Sequence, residues 1–237
     1  LLWQERSLSL LDQSKYPGEV RWIECSGYQS VIDALGTSAV SGEAIIASAG
    51  AYAYCLAALS LEGSSEFYKK LMEVKGALLA SRPDSPALAA ALGRMDKAYE
   101  EYRNSPELIT ALLAMAVTIP RQDVVACRAM NRHGKEIIPE EGNIVLSCRS
   151  GVFHTASFGG PIGTLRAAAL KKKLSQVLVC ETRPGLEGAR QIAGELVQEN
   201  VPVTPIPAPA AATLMPPRSL ALVLLEGVRS AATGDLL

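Results

Sequence analysis

With 237 residues, 49% of them hydrophobic and 20% charged, the chain is long enough to bury a substantial core as one large or two small domains, and nothing in it reads as disordered. Twenty-three Lys and Arg against twenty-four Asp and Glu leave no net field to gather nucleic acid or an anionic membrane, and Lys171-Lys172-Lys173 reads as the solvated end of a helix. The five cysteines (25, 55, 127, 148, 180) are odd in number and contain no C-x-x-C pair, so neither a disulfide framework nor a zinc site is suggested. A reducing cytoplasmic setting is expected, with no cofactor.

The opening Leu1-Leu2-Trp3 lacks the basic start of a secretory signal. Leu8 to Leu11 and Val20 to Cys25 flank Tyr16-Pro17-Gly18, a pattern that predicts a β-hairpin. From about Tyr28 to Met130 the periodicity is helical: Val31, Ile32 and Leu35; Phe67, Leu71, Val74 and Leu78; Leu88 to Tyr102; Leu108 to Val117. The uncharged stretch Ala44 to Leu61 is rich in Ala, Gly and Ser, which let helix backbones approach closely, so it predicts a buried core helix rather than a membrane span. Ser85-Pro86 and Ser105-Pro106 each place a capping residue before a first-turn proline and mark helix starts.

After Asn143 the texture alternates. Ile144–Ser147, Val177–Cys180, Val201–Thr204 and Leu220–Leu225 are short apolar runs, and Pro161–Lys172 and Leu186–Glu199 are helical. Such alternation means βαβ units and a parallel sheet. The predicted fold class is α/β: a β-hairpin and helical domain over residues 1–120, then a Rossmann-like parallel-sheet domain over 121–237.

Cys148 closes the first of those runs and opens a loop, Arg149-Ser150-Gly151, that leads to Gly159-Gly160-Pro161-Ile162-Gly163. In an α/β sheet the carboxyl end of a buried strand is where chemistry is placed, because N–H groups of the next loop and helix can stabilise a thiolate or hold an anion. The plainer reading is a small buried hydrophobe. His154 is either the base of a Cys-His pair or an ordinary loop histidine, and Arg183 and Arg190 can simply pair with Glu181 and Glu187. The glycine cluster is not a G-x-G-x-x-G fingerprint, so nucleotide binding is not indicated.

Leu11-Asp12-Gln13 with Pro17-Gly18 and Trp22-Ile23-Glu24-Cys25, then Met130-Asn131-Arg132, Cys148-x-x-Gly151 with Thr155, and Glu181-Thr182-Arg183-Pro184 with Gly188-Ala189-Arg190, run in order along nearly the whole chain. This set resembles the superfamily of 5-methylthioribose-1-phosphate isomerase, ribose-1,5-bisphosphate isomerase and the α, β and δ subunits of eukaryotic initiation factor 2B. The resemblance implies a helical N-terminal domain, a Rossmann-like C-terminal domain, and a cysteine and an aspartate flanking a sugar phosphate. Cys148 matches that cysteine and Ala208 stands where the aspartate is expected. Ser41-Gly42-Glu43 replaces a phosphate-binding Arg-Gly-Ala, Glu187 replaces a substrate-binding glutamine, and Arg82 matches a substrate-binding arginine. The implied ligand contacts are thus Arg82, Gly42, Glu187, Gly151 and Thr155 around Cys148.

These replacements lead to the expectation of a divergent member without isomerase activity, binding a small ligand such as a sugar phosphate, or a protein partner. The alternative is an active aldose–ketose isomerase of altered specificity. Family members continue beyond the Gly234-Asp235 position with further sheet, so the Rossmann-like domain is expected to be incomplete here, its apolar edge covered by a second copy in a homodimer or by another protein.

Overall fold

The computed structural model describes every residue except 38, 149–150, 152–153, 172–173, 175, 182, 184, 187, 215–219, 228–230 and 235–237. The chain divides into two compact units, Leu1–Asp123 and Val124–Leu237.

The first unit opens with an antiparallel sheet of β1 (Leu2–Gln4), β2 (Ser7–Leu11) and β3 (Trp22–Cys25), in that order. The expected hairpin is its β2–β3 half, with Leu8 opposite Cys25 and Leu11 opposite Trp22. The three-residue β1 is too short to announce itself by alternation.

Five helices follow: α1 (Tyr28–Leu35), α2 (Glu43–Ser60), α3 (Phe67–Ser81), α4 (Pro86–Tyr102) and α5 (Leu108–Gly134). The small residues of α2 let it sink into the core, where Ala49, Ala51, Ala53, Ala57 and Ala58 are fully covered. By length and hydropathy α2 could cross a membrane, yet 78% of its apolar stretch is buried inside the protein. Ser85 caps α4, its Oγ accepting from the Leu88 N–H at 3.2 Å, with Pro86 in the first turn. Leu88, Leu92 and Met95 then repeat on one face and are fully buried.

Helix α5 runs on through Pro120, well past the apolar run that ends at Val117. It is the second helix long and apolar enough to span a membrane, and only 17% of that stretch is buried. Among the polar groups deep in this unit is the Tyr54 phenol. The Tyr54 hydroxyl donates to Asp96 Oδ1 at 3.3 Å, and Lys75 pairs with the same carboxylate.

The second unit is a parallel sheet with helices between its strands: β4 (Asn143–Ser147), α6 (Gly160–Ala169), β5 (Gln176–Glu181), a π-turn (Gly188–Ile192) running into α7 (Ala193–Gln198), β6 (Val203–Pro207), α8 (Ala210–Leu214) and β7 (Leu220–Leu225). The strand order is β6-β5-β4-β7, so the winding reverses between β4 and β7. On one face Ile144, Leu146 and Cys148 pack with Ile162 and Leu165 of α6, Ile192 at the end of the π-turn and Leu196 of α7. On the other, Val145, Leu178 and Cys180 pack with Ala211 of α8.

Three details depart from the expected pattern. The strand predicted to stop at Thr204 continues through Pro205 to Pro207. Because Val177 N–H donates to the Pro202 carbonyl, the parallel ladder turns the backbone of 203, 205 and 207 outward, where a proline loses no bond. The helix predicted from Leu186 is instead a π-turn followed by α7, and Gly188 lies so close to the Cys180 carbonyl that a Cβ there would collide with it. Finally, β7 carries a bulge: Asn143 faces Leu220 but Ile144 faces Leu222, so Leu220 falls on the α8 face while Leu222 and Leu224 fall on the Cys148 face.

Candidate functional site

The apolar run of β4 delivers Cys148 to the carboxyl end of the sheet, beside the point where the winding reverses. Crevices of this kind are where open α/β sheets hold ligands. Its surroundings are tight: Cys148 is 4% exposed, a small thiol packed with the core rather than standing free in a loop.

The segment after it is built as a closed turn. Gly151 N–H donates to His154 Nδ1 at 3.2 Å, His154 N–H donates to the Gly151 carbonyl at 3.1 Å, and the Thr155 hydroxyl lies 3.5 Å from that carbonyl and also donates to the Ser157 carbonyl. Through Nδ1, His154 holds this turn closed, which is the loop-histidine role among the two open to it. Glu195 of α7, itself buried, presses its carboxylate against Gly151, where a Cβ would strike it. The later glycines serve packing too, since a Cβ on Gly163 would meet the Phe158 carbonyl and the Asn131 amide.

Ala208 lies just past β6, exposed, its carbonyl accepting from Ala211 N–H to start α8. It offers no group for proton transfer. Arg183 pairs with Glu181 at 2.8 Å, and Arg190 Nε donates to the Gly185 carbonyl at 3.1 Å. Glu187 lies outside the described residues. Burial pushes the Cys180 thiol, at the end of β5, above its ordinary range. Among the described residues no three His, Cys, Asp or Glu are grouped as metal ligands would be.

In the first unit, Arg82 and Gly42 come to one turn. Arg82 donates to the Val40 carbonyl at 3.1 Å and pairs with Asp84 at 3.4 Å, while Gly42 takes a φ of 90° at the start of α2. The turn is fastened to Gln13, whose side chain donates to the Ser41 carbonyl at 3.0 Å and accepts from the Ser41 hydroxyl at 2.5 Å.

Glu43 does something its position did not suggest. Its Oε2 accepts from Ser85 Oγ at 2.8 Å and from Ala87 N–H at 3.1 Å, so it caps α4 from a distance of more than forty residues. The carboxylate is part of the scaffold rather than an anion held toward a ligand. The Ser85-Pro86 start was the available signal, because a helix start leaves N–H groups in search of an acceptor. Glu226, directly after the apolar run of β7, also escaped notice; its N–H donates to the Ser147 carbonyl at 3.2 Å, immediately beside Cys148.

The fold and sequence have well-defined relatives. A methylthioribose-1-phosphate isomerase of Desulforudis audaxviator is 37% identical across all of this chain, which covers 68% of that protein. Another, of Geobacter sulfurreducens, is 32% identical over 98% of the chain and is likewise covered to 68%. The crystal structure of 5-methylthioribose 1-phosphate isomerase from Pyrococcus horikoshii superposes with a TM-score of 0.90 at 28% identity, over 99% of this chain and 67% of that one. The structure of translation initiation factor eIF-2B, subunit delta, from A. fulgidus gives 0.83 at 28% identity, over 97% and 68%. Residues 39–236 match the model of one family, and on this evidence together the chain belongs to the Initiation factor 2 subunit family.

Proposed function

We propose that this chain is an isomerase-type protein that takes a sugar 1-phosphate related to methylthioribose 1-phosphate and shifts its carbonyl one carbon along, with a specificity altered from that of its named relatives. The observation that carries the reading is Cys148, held at the carboxyl end of β4 where the winding reverses, on a turn closed by Gly151, His154 and Thr155. Further support is that the relatives at 32–37% identity are named as such isomerases. Arg82 is the residue we assign to an anionic group of the ligand, with Gly42 in the same turn.

The expectation of an inactive protein drew in part on Glu43, an acidic residue in the segment that replaces a phosphate-binding Arg-Gly-Ala. That support is gone, since Glu43 is a helix cap. What favours a second reading, binding without turnover, is Ala208, a methyl group where an acid is expected. Incubation with 5-methylthioribose 1-phosphate, followed by NMR for the ketose, separates the two. Ketose formation abolished by Cys148→Ala supports the isomerase. Saturable heat of binding with no ketose supports the second reading, and the absence of both removes each of them.

A further inference from the structure

We infer that Gln13 is a positioning residue for the ligand's anionic group: it clamps the residues on both sides of Val40, whose carbonyl holds the Arg82 guanidinium, and so sets where Arg82 presents its charge. The role rests on the reading above in one respect, that Arg82 is the anion contact.

The clamp has three bonds: Gln13 N–H donates to the Ala39 carbonyl at 2.9 Å, Gln13 Nε2 donates to the Ser41 carbonyl at 3.0 Å, and Gln13 Oε1 accepts from the Ser41 hydroxyl at 2.5 Å. Val40 lies between the two tied residues with its side chain in the core, 1% exposed. Planar peptides on either side leave its carbonyl little freedom, and that carbonyl accepts from Arg82 Nη1 at 3.1 Å.

Gln13 is itself fixed where the chain leaves β2. Asp12 N–H donates to the Arg21 carbonyl at 2.8 Å, and Asp12 Oδ1 accepts from Ser14 N–H at 3.1 Å and from Ser14 Oγ at 2.6 Å. Asp12 and Gln13 are 7% and 4% exposed. An amide at that depth is costly unless both of its ends are matched, and both ends of Gln13 are used on one residue. A methionine would fill the same space, so what the amide adds is direction.

A separate tie holds the far side of the turn. Glu43 accepts from Ser85 and Ala87 and does so independently of Gln13, so the path of the chain after Arg82 and the aim of its guanidinium are set by different residues. The remaining contact of Arg82, Asp84 at 3.4 Å, is a carboxylate 72% exposed and a weak anchor. Of five guanidinium N–H groups the bonds to Val40 and Asp84 use two, which leaves three for an anionic group.

Gln13→Met keeps the length of the side chain and removes both of its bonds. Phenylglyoxal labelling of the full chain, read at Arg82 by mass spectrometry with Arg94 of α4 as internal reference, reports the clamp without any ligand. Arg82 is expected to label several-fold faster in Gln13→Met and Arg94 to label as in wild type. With 5-methylthioribose 1-phosphate, Kd and KM are expected to rise about tenfold and kcat to stay within about twofold. Because Gln13 acts through Arg82, the double variant with Arg82→Ala should bind no more weakly than Arg82→Ala alone. Ser41→Ala cuts one bond of the clamp and should shift both readouts the same way by less, a second test should Gln13→Met fail to fold. Unchanged Arg82 labelling, or an equal rise at Arg94, overturns the clamp. Additive losses in the double variant, or a fall in kcat at unchanged KM, overturn the positioning role, and wild-type binding by Arg82→Ala overturns it together with the anion contact. Faster Arg82 labelling with neither binding nor turnover in wild type keeps the clamp and removes the isomerase reading instead.

Discussion

Replacing Glu43 by alanine separates a scaffold role from a ligand role. In the folded protein one carboxylate oxygen takes two donors, Ser85 Oγ at 2.8 Å and Ala87 N–H at 3.1 Å, at the positive end of the 17-residue helix α4. Losing a cap costs about 1 kcal/mol, and the half-buried charge on the helix terminus adds about as much again, so Glu43→Ala is expected to destabilise by about 2 kcal/mol. Glu43→Gln, which keeps an acceptor oxygen and loses the charge, should lose roughly half of that. For a chain of this length 2 kcal/mol corresponds to a fall in Tm of about 4–8 °C, accessible by calorimetry and by the urea midpoint. Ligand binding is the second readout. Were Glu43 an anion facing a phosphate, its removal would leave stability untouched and tighten the binding of a sugar phosphate. That pair of results would refute the capping argument.

Three further changes bear on the same structure. Gly188→Ala drives a Cβ into the Cys180 carbonyl, and a loss of about 3 kcal/mol is expected in the urea midpoint; a midpoint equal to wild type contradicts the close approach. Asp96→Ala leaves the buried Tyr54 hydroxyl and Lys75 without their shared acceptor, for a loss of about 1–3 kcal/mol that Tyr54→Phe in the same chain should partly restore; additive losses in the double variant argue against coupling. Alkaline pH is the third. Burial raises the Cys55 thiol above its ordinary 9.0 and, with the nearby Asp96 charge, the Tyr54 phenol above its ordinary 10.0. Both groups ionise more readily unfolded, so the stability they contribute is whole below about pH 9 and drains away as pH rises toward their folded values. The urea midpoint should fall as pH rises from about 9 to about 10.5, less steeply in Cys55→Ala, and a flat profile would count against it.

The parts of the fold legible in the sequence were those where local pattern and tertiary setting agree. Ile144–Ser147 and Val177–Cys180 are buried on both faces or nearly so, and an unbroken apolar run of that kind reads as a central strand; Leu220–Leu225 is as apolar in sequence but alternates half-buried with exposed residues. Pro205 stopped the reading of β6 too soon, since only the sheet order tells that this strand lies at an edge and which way its backbone points. The π-turn at Gly188 is set by its fit against Cys180, a contact no periodicity records. At the site, Cys148 announced itself by ending a strand. Glu43 and Glu226 did not, because each takes its meaning from a partner remote in the chain: Ser85 for the first, Ser147 for the second.

The prolines of β6 reach beyond their own strand. At 205 and 207 the outer border of that strand has no N–H to offer, so an incoming strand finds acceptors with no matching donors. That side of the described sheet is therefore blunted against an added strand: the residues that make β6 look like a poor strand in the sequence are the ones that keep its outer ladder from being extended.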